Sequence, residues 1–417
     1  MELEFRNRMI ALAGSSRMLR KQSRILMKTT LLLLLATLSA APSLCAEEAP
    51  VSALKTYQNE LSLCRKEHGG GHDLPDVRFF LFGMGARTKL IYHDGSLIEA
   101  TTGRQLRHWN TRREIIVPCD YQIWLETTDG EHVVLREDQA AVWLEEGGKR
   151  TALEGTRSAV RLPDFIGKKY PRVLRVLHHE LLINVIPAGP VPNFFVYSKP
   201  WYRDSAMLAL ALKETGNVNL LREWILGLRE PFDHNSGEFE PDNLGQVLFL
   251  VSLVSDKNHP IVARILAEVS RFEFSDTSGK FIRGRTDYDE HPAYQTKWLK
   301  FGLKSLGLPD TYTVPKIQDS YSALFWMDYR DTYVPGTDAI NRKDYPYLGW
   351  ACDHFHGTKS CPLGSGDYPL TWETNSSQAH YDGIKLLAPA FCQQKVCAPH
   401  TWHAAEAFLL LLTENAP

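Results

Sequence analysis

Tyr170-Pro171-Arg172-Val173-Leu174-Arg175-Val176-Leu177-His178-His179-Glu180-Leu181-Leu182-Ile183-Asn184-Val185 is the stretch at which the texture of this 417-residue chain changes. From Val173 onward its apolar side chains recur at three- and four-residue intervals, the period of a helix with one buried face. C-terminal to it the same period returns over residues 206–212, 220–228, 247–254, 261–269, 298–306, 320–329 and 404–412, between loops that carry Pro and Gly. No strand pattern stands out among these segments. N-terminal to it, residues 79–162 read as short strands: Phe79-Phe80-Leu81-Phe82 stops at Gly83, and Lys89-Leu90-Ile91-Tyr92 stops at His93-Asp94-Gly95. Ala141-Val142-Trp143-Leu144 likewise stops at Gly147-Gly148. Asp-Gly between β-rich runs marks a hairpin.

The expected fold is therefore mainly α. A small antiparallel β domain of sandwich type over residues 75–165 precedes an (α/α)6 toroid of helical hairpins over residues 170–417. Many short helices joined by aromatic-rich loops suit a toroid better than a four-helix bundle, whose helices are few and long. Residues 47–74 form an N-terminal segment, and residues 1–46 a leader. Lys28 precedes the run Leu31-Leu32-Leu33-Leu34-Leu35, and small residues follow up to Ala46 before Glu47-Glu48. That order is the charged, apolar, small-residue pattern of a cleaved signal peptide. The apolar run is broken by Thr37, Ser39 and Pro42, too early for the roughly 20 residues of a membrane span. The protein is expected to be periplasmic or secreted.

A formal charge of −2 gives no electrostatic case for nucleic acid or an anionic membrane as partner. Ten Trp, sixteen Tyr and eighteen Phe permit stacking on sugar rings, although packing accounts for many of them. Beyond the leader lie Cys64, Cys119, Cys352, Cys361, Cys392 and Cys397, an even number in an oxidising compartment, so disulfides are expected. Spacing favours Cys352–Cys361 and Cys392–Cys397 as loop staples and leaves Cys64–Cys119 as the longer link. A zinc set of Cys352, His354, His356 and Cys361 is the competing reading, but its spacing is that of no common zinc module. No metal or cofactor is expected.

Three acidic and aromatic clusters open onto apolar helices, where first-turn N–H groups face outward. The first is Trp201-Tyr202-Arg203-Asp204, in which Asp204 is suited to accept hydrogen bonds from sugar hydroxyls while Arg203 orients it. A helix cap with a surface ion pair is its plainer reading. The second is Glu238-Phe239-Glu240-Pro241-Asp242, with Pro241 in the first helical turn. Capping explains one acid of the three, and crowding raises at least one pKa toward that of a general acid. The third is Leu370-Thr371-Trp372-Glu373, followed by His380 and Tyr381, with Glu373 as catalytic acid beside a Trp372 stacking wall. His400 and His403 then open the last helix, His400 as a substrate contact and His403 with Glu406 as structure.

Pro200-Trp201-Tyr202-Arg203-Asp204-Ser205 resembles the Trp-x-Arg-Asp signature of glucoamylase-like (α/α)6 glycosidases, in which Arg and Asp hold the terminal sugar. The resemblance implies that Arg203 and Asp204 bind the −1 sugar. Leu370-Thr371-Trp372 is similar to a segment of that family's C-terminal active-site rim, whereas the family's paired-glutamate motif has no counterpart here. The leading expectation is an exported glycoside hydrolase that pairs Glu373 with Glu240 or Asp242, inverting if it follows the family. Trp201, Arg203, Asp204, Trp372, His380, Tyr381 and His400 would bind the carbohydrate substrate. One alternative is a polysaccharide lyase, with Tyr202, His380, Tyr381 and His400 as base and acid and Arg203 neutralising a uronate. The other is a non-catalytic glycan-binding protein. A sugar epimerase fits less well, because its phosphorylated or nucleotide-linked substrates are not exported.

Overall fold

The structure is a computed structural model that describes residues 44–68, 79–277, 279–317, 372–374 and 396–415. The chain divides into two compact units, Met1–Ser52 and Ala53–Pro417. Of the first unit only the opening of helix α1 (Leu44–His68) is described, with Pro50 inside it. From Ala53 onward α1 belongs to the second unit, where Tyr57, Leu61 and Cys64 enter the core.

Turn chemistry sets the strands. β1 (Phe79–Phe82), β2 (Leu90–His93), β3 (Ser96–Glu99) and β4 (Gln105–His108) form a four-stranded antiparallel meander. β2 and β3 are joined by Asp94-Gly95 at φ 45° and 69°, the paired left-handed residues that a two-residue hairpin requires. β5 (Thr111–Val117), β6 (Gln122–Thr127), β7 (His132–Glu137), β8 (Val142–Glu146) and β9 (Lys149–Ala152) form a second meander in chain order. Gly147-Gly148, at φ 55° and 71°, closes β8 on β9 in the same way. Along β6 every second side chain is buried, so the sheet presents one face to the core.

Helix α2 (Pro171–Ile183) follows, with Pro171 in its first turn, where a missing N–H costs nothing. Tyr170 gives no side-chain cap; instead Glu60 of α1 accepts from the N–H groups of Arg172 at 2.6 Å and Val173 at 2.9 Å. A carboxylate borrowed from another helix thus fixes where α2 begins. The remaining helices are α3 (Tyr202–Glu214), α4 (Arg222–Leu226), α5 (Asp242–Ser252), α6 (Pro260–Val269), α7 (Pro292–Ser305) and α8 (Thr401–Thr413). α8 packs on α2 and α3, α3 on α5, and α5 on α7.

The (α/α)6 toroid is overturned by what lies between these helices. Among the described residues they number eight, and four antiparallel ribbons interrupt them. The ribbons are β10 (Val185–Ile186) with β11 (Gly189–Pro190), β12 (Glu273–Asp276) with β13 (Gly279–Ile282), β14 (Arg285–Thr286) with β15 (Asp289–Glu290), and β16 (Trp372–Thr374) with β17 (Val396–Pro399). Two-residue strands are too short to display an alternation, and all four residues of β12 are exposed, so neither leaves a trace in apolar periodicity. The segment 320–329 expected to be helical lies outside the described residues.

Cys64 and Cys119 are not linked: both are free thiols buried in the core. Each packs as a small apolar side chain. Burial pushes both thiols up, that of Cys119 to about 12. Cys352, Cys361 and Cys392 lie outside the described residues, as do His354, His356 and the side chain of Cys397. No helix among the described residues is long and apolar enough to cross a membrane.

Helices α5 and α7 cross where Gly245 meets Gly302. A Cβ on Gly245 would lie 2.1 Å from the carbonyl carbon of Trp298, and one on Gly302 would lie 2.4 Å from the Gly245 oxygen. Backbone cannot step aside as a side chain can. Gly245→Ala is therefore expected to cost on the order of 3 kcal/mol in chemical denaturation, and an unchanged midpoint would show that the helices separate freely. Cys64 and Cys119 are expected to resist alkylation in the folded protein and to react once it is unfolded, as read by mass spectrometry of the alkylated peptides.

Candidate active site

Arg203 occupies the first turn of α3 and is 2% exposed. A guanidinium taken out of water needs carboxylates and full hydrogen bonding, and two chain segments supply three carboxylates. Its Nη2 donates to Oε2 of Glu240 at 2.9 Å, its Nε to Oδ2 of Asp242 at 3.1 Å, and its Nη1 to Asp287. Asp242 opens α5, Glu240 lies two residues before it, and Asp287 sits in the two-residue turn between β14 and β15. The guanidinium carbon lies 5.4 Å from the centre of the Trp402 ring, contributed by α8.

The carboxylates differ in what they can still do. Asp242 is fully buried; Oδ2 also accepts from Gln246 Nε2 at 2.9 Å and Oδ1 from Thr286 Oγ1 at 3.0 Å. Thr286 is in turn held by Gln295 Nε2 at 2.9 Å. That chain of donors fixes Asp242 as a support. Glu240 accepts from Arg203 and, through Oε1, from the Asp287 amide at 2.8 Å. Burial pushes the Glu240 carboxyl up to about 7, and nearby Asp242 adds to the rise while Arg203 opposes it. One cation faces three carboxyl groups, so a proton on Glu240 relieves the like-charge repulsion.

Next to Arg203, Asp204 is 3% exposed, with Oδ1 3.7 Å from His400 Nδ1. His400 caps α8, its Nδ1 accepting from the Trp402 N–H at 3.3 Å. Burial, with His403 adding to it, holds the His400 imidazole well below its ordinary pKa and therefore neutral. Tyr197 meets Trp201 edge-on at 5.6 Å and His400 at 6.4 Å. Half-buried aromatic rings thus adjoin His400, the residue beside Asp204. On α8, His403 Nδ1 stands 3.9 Å from Oε2 of Glu406, whose buried carboxyl is also shifted up.

The structure brings together Trp201, Arg203, Asp204, Glu240, Asp242 and His400 from segments far apart in the chain. Trp372 and Glu373 reach the same region by backbone pairing alone. Trp372 pairs with Pro399, the residue before His400, and Thr374 with Val396. The Pro399 oxygen accepts from Asn184 Nδ2 at 2.8 Å, and Thr401 N donates to Pro192 O at 2.7 Å, which anchors this end of the ribbon. His380 and Tyr381 lie outside the described residues.

Several site residues escaped the sequence reading. Asp287 is the third partner of Arg203, and Asp233 caps α3 from a distance by accepting the Tyr202 N–H at 2.7 Å. The only sequence signal for Asp287 is the density of acids in Asp287-Tyr288-Asp289-Glu290. The plainer account of Trp201-Tyr202-Arg203-Asp204 as a surface ion pair is set aside by the burial of Arg203 and Asp204. Tyr202 is also committed, its hydroxyl donating to the Glu230 oxygen at 2.9 Å.

Comparison with family models, curated proteins and solved structures finds no match to this chain.

The raised Glu240 carboxyl has a thermodynamic consequence. Its folded-state pKa lies above the unfolded value near 4.5, so the stabilisation it allows is complete below that value and is lost as pH rises through about 7. The unfolding free energy of the wild-type protein is expected to fall relative to Glu240→Gln by on the order of 2–3 kcal/mol between pH 4.5 and pH 8. Denaturant titrations across that range measure it, and parallel curves would mean that Glu240 ionises freely.

Proposed function

We propose that this protein is an exported glycoside hydrolase acting on an uncharged oligo- or polysaccharide, with Glu240 as general acid and Glu373 as its ionised partner. The observation that carries the reading is the Glu240 carboxyl, raised to about 7 yet bonded to Arg203 and the Asp287 amide. A general acid works best when its pKa lies near the working pH, and those two donors stabilise the carboxylate left after proton transfer. Of the two expected acids, Asp242 is better suited to position Arg203, since four donors already occupy it or its neighbours.

In this reading Glu240 gives its proton to the departing glycosidic oxygen. Glu373 takes a proton from the water that attacks the anomeric carbon on the opposite face, so the product is inverted. Asp204 accepts sugar hydroxyls, as the resemblance to glucoamylase-like enzymes implies; Trp201, Trp372 and His400 flank the ring, and His380 and Tyr381 complete the binding set. Export rests on the leader at residues 1–46. The charge balance argues against the lyase: Arg203 already faces three carboxyl groups, so a uronate would meet excess negative charge.

The test is a panel of neutral and uronic-acid glycans incubated with mature protein, products being read by mass. Gain of one water per cleavage is expected, whereas an unsaturated end would install the lyase and binding without cleavage the glycan-binding protein. Glu240→Gln and Glu373→Gln are each expected to lower kcat at least about a hundredfold with KM changed little. Asp204→Asn should impair both constants, because its contacts tighten in the transition state. Full activity in a folded Glu373→Gln protein would remove that residue from the mechanism.

A further inference from the structure

The turn between β14 and β15 carries a residue that its backbone conformation does not favour. Asp287 and Tyr288 form the two-residue loop, at φ 48° and 72°, where Asn-Gly is the usual choice because left-handed backbone crowds a Cβ. Asp287 belongs there by its ion pair with Arg203. Tyr288, bulky and left-handed, has no such reason. It is nevertheless held firmly: its carbonyl accepts from Arg285 Nε at 2.7 Å, and Arg285 Nη1 pairs with Glu238 at 2.9 Å. A strained residue that its surroundings hold in place is a mark of function rather than of packing.

The exposure of Tyr288 points the same way. It is 61% exposed, and among the described residues its ring makes no aromatic contact and its hydroxyl no hydrogen bond. Its neighbour Asp287 is the member of the Arg203 cluster that meets solvent, with a side chain 29% exposed against 2% for Glu240. Phe239, 48% exposed, immediately precedes Glu240, whose carboxylate bonds the Asp287 amide. Two exposed aromatic side chains therefore flank the junction through which the carboxylate cluster opens outward.

We propose that Tyr288 is a stacking subsite for a further, uncharged sugar unit of the glycan, placed beside the cluster by the left-handed turn. The proposal rests on the glycosidase reading. The apolar face of a pyranose ring covers an aromatic ring without needing charge, which suits a platform lying next to surplus carboxylate. Phe239 is the lesser contributor, because the Arg271 guanidinium stands 4.7 Å from its ring centre and covers it in part.

The test uses ladders of two to six neutral sugar units drawn from the glycan class that wild-type protein cleaves in the panel. Tyr288→Asn suits left-handed backbone, so the melting temperature is expected to stay level or rise by about 2 °C. KM for four to six units should rise about tenfold, with KM for two units and kcat within about twofold, and Tyr288→Phe should restore the long-chain KM. A wild-type KM across the whole ladder in Tyr288→Asn would overturn the subsite and leave the hydrolase standing. A fall in melting temperature with equal loss at every length would also overturn it, making Tyr288 a structural residue. Wild-type protein inert on every glycan would remove both readings together.

Discussion

A single buried cation organises the C-terminal half of this protein. Arg203 is shielded from water on all sides, and a guanidinium in that position is tolerable only with carboxylates in bonding range. Its partners come from the segment before α5, from α5 itself and from the β14–β15 turn, and Trp402 of α8 stands against its face. Shifting either carboxylate-bearing segment would take a hydrogen bond from the buried guanidinium. The pairing need not add net stability, because removing charges from water costs several kcal/mol per ion. What it does is specify one arrangement of α3, α5, α8 and the ribbon among the many that apolar packing would permit.

The same device joins the two β-meanders to each other and to β10. Glu137, on β7, accepts from the amides of Gly83 at 2.9 Å and Met84 at 2.7 Å and pairs with Arg87 at 2.7 Å, all buried. Lys89 donates to the oxygens of Gly83, Gly85 at 2.6 Å and Val185 at 2.8 Å. Its burial lowers its pKa to about 7. Gly83 adopts φ 108°, and a Cβ there would lie 2.4 Å from the Thr88 oxygen, so glycine is required for the loop to fold back on itself. Lys89 and Arg203 differ in purpose. Lys89 is satisfied by neutral carbonyls and contributes no surplus charge, whereas Arg203 gathers more carboxyl groups than it can neutralise. An excess of acid in the interior serves no packing end, and it is this imbalance that makes the Arg203 cluster the candidate site.

The sequence made some levels of this structure legible and hid others, for physical reasons. Helices such as α2, α5 and α6 announce themselves because a buried face recurs every three or four residues, and Asp94-Gly95 announces a hairpin because few residues adopt left-handed backbone. Closure of helices into a ring has no such local signature. Ribbons of two residues per strand have none either, which is why the toroid was a natural expectation and is not what the chain forms. At the site, Arg203 and Asp204 could be picked out because they open an apolar helix, and Glu240 and Asp242 because acids crowd there. Asp287 could not, since it joins them only through a turn 84 residues along the chain from Arg203. Cys64 and Cys119 misled through their even count with the other cysteines, when burial alone accounts for both.

The arrangement also explains why the acid cluster sits where helices begin rather than within them. Asp242 and Arg203 both lie in first turns, where backbone N–H groups and the positive end of the helix dipole favour a carboxylate and disfavour a cation. For Asp242 the site and the helix agree. For Arg203 they conflict, and the conflict is resolved by the carboxylates themselves, while the start of α3 is capped separately by Asp233 through the Tyr202 N–H. Capping and charge pairing are thereby divided between different acids. That division leaves Glu240 with neither task in full: it caps nothing, shares Arg203 with two competitors, and is buried deeply enough to favour a proton. A carboxyl freed from structural duty but kept out of water is suited to proton transfer, and the fold arrives at it by giving Asp233 and Asp242 the structural roles.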